Sequence, residues 1–541
     1  MKINSIYFVI AILLIISSCT EKETKSQKLT LDSTIVEYYL AKLSSDEFLG
    51  RMPFSEGEEL TVNFIKDEMQ KAGIEPGNGD SYFQDVNLVQ INSNRDSLLE
   101  VNLPSKKLDW TLGKDFVTSE TRVEETTSIE NSQFVFAGFG IVAPEYGWND
   151  YEGLDMTGKT AIVMVNDPGY QSGDSELFTG NAMTYYGRWT YKYEEAARQG
   201  ADGVMIIHET EAASYPWSTV KNSWKGAEMV VDLEHKNLNN CRIQGWISNE
   251  AARELFESAG LSYEDLTEKA GQKGFKPVEL GATYSYSMTN EMEFNTSKNV
   301  IGKITGTKYP EETIIYTAHW DHLGIGEKVD GDSIYNGAVD NATGVAAIME
   351  IGRAFAQLET KPERSIIILA VTAEEQGLLG SKYYSENPIY PLDKTVANLN
   401  IDAIMGYGRT KDITVIGYGQ SELDEIVKSV ADRYNLEVNP DPHPEKGYFF
   451  RSDHINFAKM GVPSFYGKLG NHSIAHGLEW GKEQENLYRL NDYHNATDNY
   501  DPEIFDLGGI LQVGQVMLDV GYELSFGRTF PGWKEGASFS R

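Results

Sequence analysis

The chain has 541 residues, too many for one ordinary hydrophobic core, which predicts two or three domains. Its 40% hydrophobic and 11% aromatic content is ordinary for a globular protein. A formal net charge of −34 argues against nucleic acid or an anionic membrane surface as an electrostatic partner, and we read it as a source of solubility.

In chain order, residues 1–18 read as a signal peptide. Lys2 is a short basic region, and Ile6 to Ile16 is an apolar stretch too short for a comfortable membrane span. The segment Ile16-Ser17-Ser18-Cys19 resembles a bacterial lipobox, which implies cleavage before Cys19 and attachment of lipid to it. Export as a lipoprotein, facing the periplasm or the cell surface and held to a membrane through Cys19, is the expectation. Residues 19–30 are polar and charged, as a tether would be. The mature chain keeps Cys241 as its single thiol, so no intrachain disulfide is available.

Residues 31–75 predict two amphipathic helices, one marked by Ile35, Tyr38, Tyr39, Leu40 and Leu43, the next by Val62, Ile65, Met69 and Ala72. Gly73 and Pro76-Gly77 end the second. From about Phe83 to Lys298 the pattern turns β-rich. Strands are predicted at 134–141, in TGKTAIVMVND and in VMIIH, with a short helix in YEEAARQG. Aromatic residues crowd this region, including Tyr185, Tyr186, Trp189 and Trp217, and are assigned to packing.

The chemistry is concentrated between Tyr316 and Asp402. Thr313 to Tyr316 leads to His319 and Asp321; Ile366 to Val371 leads to Glu374 and Glu375; Val396 to Ile401 leads to Asp402. Asp340 stands just ahead of a helical pattern, Val345 to Leu358. Short apolar strands alternating with helices predict an α/β fold with a mostly parallel sheet, and in such sheets ligands bind at the carboxyl ends of the strands. Histidine and carboxylates gathered there suit a divalent metal, zinc above others. Their number exceeds what one catalytic zinc needs, so two ions sharing a bridging carboxylate are expected. Neighbouring side chains on a strand diverge, so one of Glu374 and Glu375 can bind metal while the other reaches a water as general base.

These phrases together resemble the M28 zinc peptidases: HWDH at His319, GAVDNATG at Asp340, AEEQGLLGS at Glu374 and Glu375, NIDAI at Asp402, SDHINFAKMGVPS at Asp453, and YHNATD at His494. The resemblance covers roughly residues 298–500. It implies that Asp340 bridges two Zn2+, that His319 and Asp402 complete one ion, and that Glu375 and His494 complete the other. Glu374 becomes the general base, and Asp321 the carboxylate that orients His319. Tyr493 is a candidate for the oxyanion-stabilising tyrosine of related aminopeptidases, Asp498 is a candidate partner for His494, and Arg451 is a candidate substrate contact. SSDEFLGRMPFSEGEE is similar to a loop found early in the family, and the β-rich region is similar to the inserted protease-associated (PA) domain.

The expected architecture is therefore a zinc-exopeptidase fold over 31–90 and 291–530, interrupted by an insert over 91–290 that contains the PA-like domain. The implied activity is removal of N-terminal residues from peptides. A glutamate carboxypeptidase-like enzyme stays open as an alternative. A glutaminyl cyclase-like acyltransferase binds one zinc, and a receptor-like inactive relative loses ligands; the complete ligand set speaks against both.

Overall fold

The computed structural model describes residues 29–170 and 172–541. The expected signal peptide, Cys19 and all but the last two residues of the tether lie outside them.

The body of the fold is built on eight strands. Pairing gives the spatial order Glu437–Pro440, Asp412–Ile416, Ser464–Leu469, Thr395–Asn400, Tyr309–His319, Arg364–Val371, Val278–Ile304 and Phe83–Arg95. The four from Ser464–Leu469 to Arg364–Val371 run parallel, as the alternation of strands and helices predicts. Antiparallel neighbours, Asp412–Ile416 and Val278–Ile304, flank them.

Alternation along the central strands divides them between two apolar layers. Ile314, Tyr316, Ile366, Ile368 and Ala370 face one cluster, whereas Ile315, Ile367, Leu369 and Val371 face the other. The first layer is covered by the helices Ser33–Leu43, Glu56–Ala72, Thr343–Ala356, Leu423–Arg433 and Gly508–Phe526, all of which contribute to it. The second is covered by Leu379–Glu386 and His454–Lys459. Glu56–Ala72 starts where Ser55 accepts the N–H of Gly57 and stops at Gly73, whose φ of 80° suits a glycine.

The insert has its own core, running from Leu99 to Met288 and separate from that of the body. Its strands Thr126–Phe136, Lys159–Met164, Gly203–Ile207 and Ile243–Ile247 are joined in parallel. The chain does not change domain cleanly at 90 or 290. Val278–Ile304 is a single 27-residue strand that pairs with Thr126–Phe136 in the insert and with Phe83–Arg95 and Arg364–Val371 in the body. A ladder of that length ties the units together by main-chain hydrogen bonds. No helix among the described residues is long and apolar enough to cross a membrane.

Candidate metal centre

The carboxyl ends of the parallel strands converge as the pattern predicts. His319 ends Tyr309–His319, Glu374 and Glu375 follow Arg364–Val371, and Asp402 follows Thr395–Asn400. Asp340 comes from a distorted turn, Ala338–Ala342, that leads into the helix Thr343–Ala356; the Asp340–Asn341 peptide is cis. Two glycines of that motif are dictated by space. Gly337 has φ +52°, and a Cβ there would meet the His322 ring at 2.6 Å; a Cβ on Gly344 would meet the carbonyl of Ile401 at 2.7 Å. Asn341 joins this turn to the Asp402 loop, donating to the carbonyl of Ile401 (3.0 Å) and accepting from the N–H of Ala403 (3.3 Å).

Asp340 is the hinge of the arrangement. Its Oδ1 lies 3.2 Å from Nε2 of His319, and its Oδ2 lies 3.3 Å from Nε2 of His494. Asp402 Oδ1 adds a third donor beside His319 at 3.4 Å, and Glu375 Oε2 adds one beside His494 at 3.0 Å. His319, Asp340 and Asp402 form one group able to hold a metal ion, and His322, Asp340 and Glu375 form another; His319, Glu374 and Glu375 are also within reach of one another. The structure thus brings together all five residues expected to bind metal, with Glu374 beside them.

The charges show why a cation fits. Burial opposes a charged His319, yet Glu374, Asp340 and Asp402 outweigh it and hold its pKa well above the usual value. His494 is raised likewise, against burial, by Glu375 and Asp340. Burial works against an ionised Asp340, but His319 and His494 pull its pKa well below the usual range. Glu375, also against burial, is drawn down to about 2, by His494 and His322. Glu374 goes the other way: burial, then Asp402 and Glu375 against the pull of His319, push it well above a normal carboxylate. Crowded acids in a closed site repel one another unless a positive charge sits between them.

Three details depart from expectation. Asp321 does not approach His319 mainly through its carboxylate, which is 3.8 Å from Nδ1; the main-chain oxygen of Asp321 is closer, at 3.2 Å. Its carboxylate instead receives the N–H groups of Glu374 (3.1 Å) and Glu375 (3.3 Å), and so fixes the turn carrying both glutamates. Asp498 does not partner His494. It accepts the N–H groups of Val339 and Asp340 at 3.0 and 3.1 Å, holding the Asp340 turn from below. The third is His322, which the sequence reading passed over. It is fully buried, and its Nδ1 lies 2.7 Å from Oε1 of Glu375, the oxygen turned away from His494. The second histidine of HWDH was the available signal.

Tyr493 is half-exposed at the rim, its ring stacked on that of His494 at 3.9 Å. Arg451 makes no salt bridge among the described residues. Arg51, from the SSDEFLGRMPF loop, is fully buried and reaches under the site. It donates to the carbonyls of Trp320 (2.8 Å), Gly337 (3.0 Å), Leu43 and Asn336.

Fold and cluster together define an α/β protein with a group of side chains able to hold a metal ion at the carboxyl edge of its sheet. The family model described as Peptidase family M28 matches residues 299–521, and this part of the chain is an M28 peptidase domain. The mouse (Mus musculus) protein named aminopeptidase NAALADL1 is 36% identical over 137 residues, which is 24% of this chain and 17% of that protein. The Arabidopsis thaliana protein named probable glutamate carboxypeptidase LAMP1 is 31% identical over 169 residues, 30% of this chain and 22% of that one. The matched stretches thus span under a quarter of either relative's length. Among solved structures, the aminopeptidase from Aneurinibacillus sp. strain AM-1 is similar, with a TM-score of 0.49 and 18% identity over 92% of this chain and 95% of that one.

Proposed function

We propose that this chain is a zinc-dependent exopeptidase that releases N-terminal residues from peptides. The observation that carries the reading is the placing of the two Asp340 oxygens, each turned to a different histidine, with Asp402 and Glu375 completing the two donor sets. His319, Asp340 and Asp402 would hold one Zn2+, and His494, Asp340 and Glu375 a second, the donor types being those zinc prefers. Zinc, when bound, supplies Lewis acidity that polarises a carbonyl and lowers the pKa of water.

Glu374 is the general base in this reading. It stands among the donors without being needed in either set, and its turn is clamped by Asp321. It takes a proton from the attacking water and delivers it to the leaving amine. Tyr493, whose ring stacks on that of His494, donates a hydrogen bond to the oxyanion in this reading. The acidic surroundings suit a free ammonium, which favours recognition of the peptide N-terminus. The test is product identification with a short peptide and its N-acetylated form. Release of the first residue from the free peptide, abolished by acetylation, supports the reading; release of the last residue from both would establish a carboxypeptidase instead.

The PA-like insert is, in this proposal, a wall of the substrate site, and the chain is an exported lipoprotein anchored through Cys19. A Cys19→Ala variant is expected to be extracted without detergent; retention in the membrane fraction would reject that anchor.

A further inference from the structure

The insert carries a cavity of its own, of about 440 Å³. It opens where two neighbouring parallel strands end. Gly203–Ile207 is followed by His208 and Glu209, and Ile243–Ile247 by Ser248 and Asn249. The N–H of His208 donates to the carbonyl of Ile247 (2.9 Å) and ties the two ends together. Trp217, from the helix Trp217–Ser223, adds its ring to the lining. A crevice outside the carboxyl ends of parallel strands is the usual place for a ligand in an α/β sheet, and the volume is within the roughly 300–1,000 Å³ of small-molecule sites.

What the lining offers is chiefly acceptors. His208 is only 3% exposed, and its Nε2 lies 3.0 Å from the carbonyl of Tyr215. Nε2 therefore carries the proton and Nδ1 the lone pair, for which no partner exists among the described residues. Burial lowers the pKa of this ring, against the pull of the Tyr215 carbonyl, Glu209 and Glu250, and so favours its neutral form. Glu209 accepts the Tyr263 hydroxyl through Oε1 (2.7 Å), while its Oε2 has no partner among the described residues. Neither Glu209 nor Glu250 forms a salt bridge there. Arg253, also in the lining, is already engaged: it pairs with Glu264, and its Nε donates to Asn249 (2.6 Å). The start of the helix Asn249–Ser258 is occupied too, since Ser248 Oγ accepts the N–H of Ala251 (3.2 Å).

An anion would meet unpaired carboxylates here. A metal ion is not served either, because among the described residues no three His, Cys, Asp or Glu donors of this cavity come close enough together to hold one. An organic cation with several N–H groups and a flat face fits better. The Trp217 ring is half-buried, 5.5 Å from that of His208, and is fixed by Nε1 donating to the carbonyl of Gly113 (3.3 Å). A guanidinium stacks on an indole while its five N–H groups reach acceptors in its own plane, which an ammonium does less well. We propose that this cavity binds an arginine side chain, either of the free amino acid or of a residue within a peptide, with Trp217 against its face and His208, Glu209 and Glu250 as its acceptors. This binding is independent of the metal centre and of the activity proposed above.

Calorimetry on the full chain tests it with two probes, L-arginine and the doubly capped peptide Ac-Gly-Arg-Gly-amide. Each is compared with its uncharged counterpart, in which citrulline replaces arginine. The blocked ends of the peptide give an exopeptidase nothing to cleave. Tenfold or tighter binding of the arginine member is expected in at least one pair: the first identifies the free amino acid, the second a residue within a peptide. Glu250→Gln, at an exposed position, and Trp217→Leu are each expected to lower that ratio at least threefold, and Glu209→Gln combined with Glu250→Gln to bring it close to one. Equal binding within both pairs overturns the proposal. So does a preference that survives both Glu250→Gln and Trp217→Leu, or a lysine counterpart bound as tightly as the arginine probe.

Discussion

Glu374 and Glu375 are neighbours with opposite electrostatics, one carboxyl raised and one lowered, and their substitutions are expected to separate. In the proposed mechanism, Glu374→Gln keeps the donor sets and removes the base. Turnover is expected to fall by about 10²–10⁴ with zinc content unchanged, since positioned acid–base groups contribute about that much. Asp340→Ala removes the ligand proposed to be shared, and metal analysis is expected to find most of the zinc gone. Near-normal kcat in the Glu374 variant would refute the assignment of the base. His322 gives a finer test. By holding Oε1 of Glu375 it leaves Oε2 to face His494. We expect His322→Phe to weaken zinc retention against a chelator by about 10–100-fold, the usual effect of losing the partner of a ligand. Unchanged retention would mean that the contact does not orient Glu375.

At the scale of elements, the loops of the site are joined by buried polar contacts. Arg51 ties three segments together by donating to four carbonyls, those of Leu43, Trp320, Asn336 and Gly337. In Arg51→Met those carbonyls lose their donor in a closed space, and urea unfolding is expected to show a loss of about 3–5 kcal/mol. A second test concerns the short helix His454–Lys459. Its first residue is fully buried between the rings of Phe449 (4.7 Å) and Tyr466 (4.9 Å), and burial lowers its pKa from 6.5 to about 3. The folded state therefore keeps His454 neutral while the unfolded state takes up a proton below about 6.5. Its contribution to stability is complete above that pH and is lost as pH falls towards 3, at up to about 1.4 kcal/mol per pH unit. Urea midpoints at pH 7, 6 and 5 are expected to fall less steeply in His454→Phe. An unaltered slope would show that His454 is not the group responsible.

For the whole molecule, the proposed metal binding is linked to folding, because the donors come from strands and loops spread from His319 to His494 and converge only in the folded chain. Free zinc at 100 times its Kd adds about 2.7 kcal/mol to folding for each site. Scanning calorimetry is expected to show a higher unfolding temperature with zinc and a lower one with chelator, and an indifferent midpoint would argue against any resident ion. The insert and body have separate cores but share the Val278–Ile304 strand, so the two are expected to melt in one transition despite the distance between their cores.

Much of this could be read before any coordinates. Apolar runs such as Ile366 to Val371 predict buried strands because local periodicity reports burial on both faces, and the acids that end them predict a carboxyl-edge site. What the periodicity does not carry is anything set by contact between distant segments. The Val278–Ile304 strand looks polar in its middle because its exposed face is polar, so its length was hidden. Asp321 and Asp498 each accept two main-chain N–H groups, which every residue but proline has and no sequence advertises. The service of His322 to Glu375, 53 positions away, exists only once folding has closed the distance. The residue types and the order of strands lie in the sequence, since they are local; which polar groups face each other was decided by the tertiary structure, since burial alone makes those choices costly.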